Sequence, residues 1–218
     1  MAVFNRNLTS ELIEKQVDLI IDTDKRLTIL ELGCGDGNIS RSLSKKFPQH
    51  SYYASDISEE AIQTARQQDL SNTISFRHGG LFEPWSNEMF DVIISDVASI
   101  SEAIANLSDW YAGIPCKTGQ SGLDLVSSVI GQARLHLPAG GVFVMPILSL
   151  SNFREQIGLL KSTFDLVEIK AETNWPMPTD LLDLMVSRGM VFECDNWCIV
   201  KKYGLGTAWT SVAECRFL

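Results

Sequence analysis

The sequence lacks the features that mark secreted, membrane-spanning and metal-binding proteins. Residues 1–9 contain no apolar stretch of a secretion signal, and no hydrophobic run approaches the length of a membrane span. The five cysteines form no C-x-x-C pair, and no histidine or further cysteine lies at a zinc-ligand spacing beside Cys194 and Cys198. We therefore expect a cytoplasmic protein with reduced cysteines, no metal site and no contact with a membrane.

Basic residues are also scarce. The chain has 18 lysines and arginines against 27 aspartates and glutamates, a formal net charge of −9 over 218 residues. An acidic surface repels phosphate backbones, which disfavours nucleic acid as a partner. We expect a small-molecule or peptide substrate instead, and the composition gives no indication of the oligomeric state.

What the sequence does contain is a regular alternation of apolar runs and amphipathic stretches. This alternation is typical of a parallel sheet covered by helices on both faces. We predict an α/β fold with a doubly wound, mostly parallel seven-stranded sheet, in a single domain spanning residues 1–218. Strands are predicted at 27–32, 51–55, 73–77, 90–95, 141–148 and 166–170, with 198–202 and 211–217 as a closing antiparallel pair. Helices are predicted at 9–21, capped by Thr9 or Ser10, and at 38–47, 58–68, 123–137 and 151–164.

Two segments interrupt the alternation, near residues 99–121 and 172–190. Ligands bind outside the carboxyl ends of the strands in open α/β sheets, and we expect both segments at or near that edge. Their aromatic residues Trp110, Tyr111 and Trp175 are therefore candidates for a lid over the substrate. Ordinary core packing is the alternative for each of them.

The most informative stretch has the pattern E-x-G-x-G-x-G from Glu31 to Gly37, directly after a predicted strand. A dinucleotide site needs a glycine or alanine where Asn38 stands, so that interpretation fails. Carboxylates at Glu31 and Asp36 also disfavour a phosphate, because like charges at short range repel. A cofactor that carries an ammonium and a sulfonium group fits these residues better.

This stretch resembles motif I of the class I, Rossmann-like methyltransferases, which use S-adenosylmethionine. The resemblance implies that Glu31 helps to hold the amino group of the methionine moiety. It also implies that the turn formed by Gly33, Cys34, Gly35 and Gly37 lies against the cofactor.

Two further turns complete the predicted cofactor site. Asp56, with Ile57 beside it, ends the second strand about twenty residues after the glycines, where a carboxylate can bind both ribose hydroxyls. A helix cap is the alternative for Asp56. In methyltransferases the turn at Gly80, Leu81 and Phe82 flanks the adenine, and either apolar side chain can stack on it. The alternative places Phe82 in the core.

The end of the fourth strand is the predicted place of methyl transfer. Ser95 is assigned to the cofactor site, Ser99 to the substrate, and Asp96 to catalysis, either as a base or as a group that orients the substrate. From about residue 27 to 147, the chain is similar to the HemK-like release factor glutamine methyltransferases. The similar features are the turn at 81–84, the strand at 91–95 and the G-L-D at 122–124. That family's N-P-P-Y is here Asp96-Val97-Ala98-Ser99, and a chain of this length leaves no room for its helical release factor-docking domain.

Several functions remain open at this point. The first is transfer of a methyl group to a nitrogen or oxygen of a small molecule or peptide. The alternatives are a protein N-methyltransferase of the glutamine type, and an S-adenosylmethionine-binding subunit without methyl transfer. A nicotinamide-dependent oxidoreductase is disfavoured by Asn38 and the carboxylates around the glycine turn.

Overall fold

A computed structural model describes residues 7–111, 116–202 and 204–218 of the chain. Its strands are β1 Thr28–Leu32, β2 Ser51–Asp56, β3 Ile74–His78, β4 Val92–Ser95, β5 Val142–Leu148, β6 Leu166–Pro176, β7 Glu193–Cys194, β8 Trp197–Cys198, β9 Val200–Lys202 and β10 Leu205–Arg216. Its α-helices are α1 Leu8–Ile20, α2 Asn38–Lys46, α3 Glu59–Gln68, α4 Glu102–Ala105, α5 Asp124–Ala133, α6 Phe153–Thr163 and α7 Thr179–Ser187.

The main sheet has the strand order β3-β2-β1-β4-β5-β10-β6, in which β1 to β5 are parallel. The dinucleotide-binding order is 3-2-1-4-5-6. Here β10 lies between β5 and β6 and is antiparallel to both. The predicted mostly parallel α/β sheet is confirmed. It has eight strands rather than seven because β9 also pairs with β10, while β7 and β8 form a separate two-stranded sheet.

Two apolar layers cover the sheet, one on each face, and they bury its central strands. Alternate side chains of a strand point to opposite faces, and in β1 Ile29 joins one layer while Leu30 joins the other. The Ile29 layer packs against α1, α2 and α3, and the Leu30 layer packs against α5 and α6. The sheet is thereby held rigidly, and the ends of its strands are fixed in relation to one another.

A third apolar cluster brings the two interrupting segments together. Ile100 and Ile104 come from the first segment, and Met177, Leu181 and Met185 come from the second. The first segment includes residues 112–115, which lie outside the described part of the chain. The cluster also contains Leu148 at the end of β5, so both segments are anchored at the carboxyl edge of the sheet.

Several predicted boundaries differ from the structure. β10 begins at Leu205 rather than at residue 211, and β9 pairs with residues 205–207 rather than with the predicted 211–217. β6 continues to Pro176 instead of ending at residue 170, so the start of the predicted 172–190 insertion is strand. The extra length pairs with β10 past a register shift between Thr210 and Val212. α1 is capped by Asn7 rather than by Thr9 or Ser10, and α5 gives way to a 3-10 turn after Ala133.

No helix in the described ranges is both long enough and apolar enough to cross a membrane.

Candidate active site

A cleft of about 800 Å³ lies at the carboxyl ends of the parallel strands. This is the edge where ligands bind in open α/β sheets. The structure brings most of the predicted site residues together there. Those that line the cleft are Glu31, Gly33, Cys34, Gly35, Asp56, Ile57, Gly80, Leu81, Asp96, Ser99, Trp110, Tyr111 and Trp175.

The glycine turn forms one wall of the cleft, connects β1 to α2 and is hydrogen-bonded to the end of β2. The N–H groups of Gly33 and Cys34 both donate to the carbonyl oxygen of Ser55, at 2.9 and 3.0 Å. The φ angles at Gly33, Gly35 and Gly37 are +73°, +53° and +78°, a region that side-chain-bearing residues rarely adopt. The sequence folds into this tight turn because glycine carries no penalty there.

Gly33 and Gly37 serve the turn in different ways. A Cβ atom at Gly33 would lie 3.2 Å from the carbonyl oxygen of Asp96, so this glycine lets the ends of β1 and β4 approach closely. A Cβ atom at Gly37 would lie 2.9 Å from the ring of Phe76 in β3. Gly37 therefore packs α2 against the sheet. It does not line the cleft, which corrects its assignment as a cofactor contact.

Phe82 and Ser95 are also corrected. Phe82 is 2% exposed and its ring stacks on His136 with 4.4 Å between centroids, so its side chain belongs to the core. Ser95 is fully buried within the layer beneath β4 and does not line the cleft. Their neighbours Leu81 and Asp96, which were predicted as site residues too, do line the cleft.

Glu31 is a buried carboxylate at the floor of the cleft. The backbone N–H of Ser40 in α2 donates to Oε2 at 2.9 Å, and the Ser40 hydroxyl donates to the same oxygen. Burial raises the pKa of Glu31 to about 8, the Ser40 hydrogen bonds oppose this, and the charges of Asp96 and Asp36 add to it. Within the described residues Oε1 has no hydrogen-bond donor, so it can accept one from a ligand.

Asp56 is held by two backbone donors and is not the cap of α3, which is Ser58. Its Oδ1 accepts from the N–H of Ser58 at 2.8 Å, and its Oδ2 accepts from the N–H of Gly35 at 2.9 Å. Each carboxylate oxygen has a second lone pair. Asp56 is therefore oriented by the backbone and can still bind the paired hydroxyls of a ribose.

Apolar surface adjoins Asp56. Ile57 is 65% exposed although it lines the cleft, and its Cδ1 would lie 4.0 Å from a Cβ atom added at Gly80. Leu81 has a φ of +46°, an unfavourable conformation for a branched residue. Strain of this kind concentrates at functional sites. Together Ile57 and Leu81 offer an apolar surface that suits a flat heterocycle. Gly80 has no side chain that would cover this surface.

Asp96 stands at the end of β4 and is half-buried. The hydroxyl of Ser10 in α1 donates to its Oδ2 at 2.8 Å, although the two residues are 86 positions apart. Burial raises the pKa of Asp96 to about 6, and the Ser10 hydrogen bond opposes the rise. The start of α1 also supplies Asn7, Leu8 and Thr9 to the cleft wall. Sequence reasoning missed this contribution, because no local pattern links a distant helix to a strand end.

Aromatic side chains from the two interrupting segments form the opposite wall. The rings of Trp110 and Trp175 meet edge to face with 5.9 Å between centroids. The indole N–H of Trp175 donates to the hydroxyl of Thr210 at 3.1 Å, which fixes that ring. Burial raises the pKa of Tyr111, with smaller contributions from Cys116 and the charge of Asp96, so Tyr111 lies within electrostatic range of that carboxylate.

Other lining residues were not singled out from the sequence. Ser99, which was predicted as a substrate contact, is 3% exposed. The additional residues share no motif that would have revealed them; they include Asp109, Lys117, Leu125, Pro146 and Pro178.

Comparison with known proteins agrees with this geometry. The methyltransferase domain family matches residues 29–112. A release factor glutamine methyltransferase of Koribacter versatilis is 32% identical over 149 residues, which are 64% of this chain and 52% of that protein. The same enzyme of Enterococcus faecalis is 37% identical over 105 residues, 47% of this chain and 35% of that protein. The chain thus spans about half the length of these relatives or less.

A solved structure extends the likeness to the whole fold. The ribosomal protein L11 methylase of Lactobacillus delbrueckii subsp. bulgaricus matches 99% of this chain and 82% of its own, with a TM-score of 0.61 and 16% identity. The chain is thus similar to methyltransferases in sequence over residues 29–112 and in its overall fold. Its sequence is similar to those of release factor glutamine methyltransferases over part of their length.

Proposed function

We propose that this protein transfers the methyl group of S-adenosylmethionine to a nitrogen or oxygen atom of a small molecule or peptide. One observation carries the proposal. A single cleft has two walls of different chemistry. One wall has carboxylates and an apolar surface that suit the cofactor, and the other has Asp96 and three aromatic residues. The same cleft thus has room and chemistry for a methyl donor and an acceptor side by side.

The residues of the first wall fit the cofactor group by group. Oε1 of Glu31 can accept a hydrogen bond from the ammonium of the methionine moiety, and that cation favours the ionised form of the carboxylate. Asp56 can accept both ribose hydroxyls. Ile57 and Leu81 provide apolar contact for the adenine.

The residues of the second wall would position the acceptor. When bound, S-adenosylmethionine supplies a methyl group already activated by its sulfonium, so alignment is the main requirement on the protein. Asp96 can accept a hydrogen bond from the acceptor atom and take up the proton that this atom loses. The aromatic residues exclude water from the same space.

The relatives favour a second candidate, methylation of a glutamine-type amide on a protein. Two of them carry the name release factor glutamine methyltransferase. Against this candidate, Asp96, Val97, Ala98 and Ser99 stand where that family has N-P-P-Y. A third candidate is a cofactor-binding subunit that transfers no methyl group.

Calorimetric titration with S-adenosylmethionine, S-adenosylhomocysteine and NAD tests the cofactor part. We expect the first two to bind with micromolar dissociation constants, and NAD to give no heat of binding. Transfer of a labelled methyl group to a panel of amines, alcohols and peptides then tests the reaction. Binding without transfer to any acceptor would favour the subunit without catalysis, and absence of binding would contradict the assignment of the cleft.

A further inference from the structure

We propose that the acceptor is an amine that enters the cleft as a cation, and that Asp96 selects it over amides, alcohols and carboxylates. This inference rests on the proposed function, because it names the acceptor class of the same site. It is argued from the charge of the cleft, from its aromatic wall and from the partners of Asp96.

The cleft is strongly acidic. The only basic side chain among its described lining residues is Lys117, which is exposed. Five carboxylates line the same space: Glu31, Asp36, Asp56, Asp96 and Asp109. An anionic acceptor would therefore be repelled, and a cationic acceptor would be attracted.

Three of these carboxylates have a partner in the chain or in the proposed cofactor. Glu31 and Asp56 are the cofactor-binding carboxylates of the proposed function. Asp36 accepts two hydrogen bonds of 2.7 Å from the Asn38 amide and lies 3.8 Å from the Arg41 guanidinium. Asp36 therefore lies near a cation of the chain, Glu31 would meet the ammonium of the cofactor, and Asp56 is held by the backbone N–H groups of Gly35 and Ser58.

Asp96 differs because no cation faces it within the described part of the chain. Its side-chain hydrogen bond comes from the Ser10 hydroxyl, which is neutral and cannot balance a negative charge. A half-buried carboxylate without a counter-charge is costly in free energy, and a bound cation would remove that cost. The raised pKa of Asp96, about 6, agrees with an environment that lacks a positive charge.

The aromatic wall suits a cation as well. The faces of tryptophan and tyrosine rings carry negative charge density and attract ammonium groups. Trp110 and Trp175 line the cleft as a contacting pair, and Thr210 holds the second indole in place. Tyr111 lines the same cleft as Asp96, so the carboxylate and the aromatic wall face one space.

The transfer step balances with these groups. The bound ammonium gives one proton to the Asp96 carboxylate and becomes a neutral amine. The nitrogen lone pair then forms a bond to the methyl carbon, and the carbon–sulfur electron pair returns to sulfur. The product is a methylated ammonium, and the proton on Asp96 passes to solvent as the product leaves.

Four probes that share one ring distinguish the acceptor classes: benzylamine, benzyl alcohol, benzamide and benzoate. Their binding is measured by tryptophan fluorescence with S-adenosylhomocysteine in the cofactor site, and labelled methyl transfer is measured in parallel. We expect benzylamine to bind at least about tenfold more tightly than each of the other three. Equal binding of the four probes, no binding of benzylamine, or a preference for benzamide would overturn the inference.

The variant Asp96→Asn separates selection from structure. It keeps the size of the side chain and removes the charge, so we expect the preference for benzylamine over benzamide to fall about tenfold. A side chain with only a structural role would weaken all four probes by the same factor. Asp24→Asn, which removes a charge at an exposed turn, is the matched control and should leave the preference unchanged.

The two proposals fail in different ways. If S-adenosylmethionine does not bind, the proposed function is wrong, and the probes are then compared on the unliganded protein. If S-adenosylmethionine binds and methyl groups reach benzyl alcohol or benzamide more readily than benzylamine, the proposed function stands and the amine inference is wrong.

Discussion

The two walls of the cleft are built in different ways. The cofactor wall comes from one stretch, residues 31–81, in which backbone hydrogen bonds of 2.9–3.0 Å join the turns to one another. The acceptor wall is assembled from α1, the end of β4, the segment after it and the end of β6, through side-chain contacts. Side chains of the cofactor wall are held in place by a continuous backbone framework, whereas those of the acceptor wall come from separate elements and can vary with the substrate.

The largest expected effect comes from Asp56→Ala. Loss of this carboxylate removes the two ribose hydrogen bonds and the tie to Gly35, and we expect about 100-fold weaker binding of S-adenosylmethionine in calorimetry. Benzylamine binding to the unliganded protein should stay within about twofold of the original value. An unchanged affinity for S-adenosylmethionine would remove Asp56 from the cofactor wall.

The rigidity of the cofactor wall is tested next by Gly37→Ala. The added Cβ atom would meet Phe76 at 2.9 Å in a backbone with a φ of +78°, and we expect a loss of roughly 2–4 kcal/mol in the free energy of unfolding. Gly140→Ala is the matched control, since its φ is +79° and nothing lies within 4 Å of the new atom. Urea denaturation should give a loss of only about 1 kcal/mol for this control. Equal losses would mean that the contact with Phe76 does not matter.

On the acceptor wall, Trp175→Leu should have a smaller effect. It removes an aromatic face and the hydrogen bond to Thr210, and we expect benzylamine to bind about five- to tenfold more weakly. The affinity for S-adenosylmethionine should not change. Trp209→Leu is the control, because that ring packs on Phe153 outside the cleft. If both variants weaken benzylamine equally, Trp175 contributes to stability rather than to binding.

The smallest expected change concerns the protons of Glu31. Burial raises the pKa of Glu31 from 4.5 to about 8, so the contribution of this group to folding stability is fully present below about pH 4.5 and is lost as the pH rises through 8. The ammonium of the cofactor reverses this shift, and we expect binding at pH 7 to release up to about one proton. Calorimetry in buffers of different ionisation enthalpy measures this number. Glu31→Gln should abolish the release, and a release that persists in this variant would assign the proton to another group.

Sequence reasoning identified Glu31, the glycine turn and Asp56 because their information is local. They lie at the ends of two strands that are adjacent in the chain and in the sheet, and that they bind a cofactor stays a prediction. Phe82 and Ser95 are buried and do not line the cleft, because their packing is set by the tertiary fold.

The acceptor wall was predicted only in part, because its partners are set by the tertiary fold. The contact between Ser10 and Asp96 joins a helix and a strand end with no shared pattern. β6 was predicted to end at residue 170, with an insertion from residue 172 that does not fit the alternation of strands and helices. Residues 172–174 are strand because β10 supplies their hydrogen-bonding partners. Pairing of this kind is not encoded by local propensity.

The central claim is that one cleft holds two separable walls, one for the methyl donor and one for the acceptor. Calorimetric titration of Asp96→Asn with S-adenosylmethionine tests it most directly. The account predicts a dissociation constant within about threefold of the original protein, together with the loss of preference for benzylamine. A loss of S-adenosylmethionine binding as large as that of Asp56→Ala would contradict the account, because Asp96 would then belong to the cofactor wall.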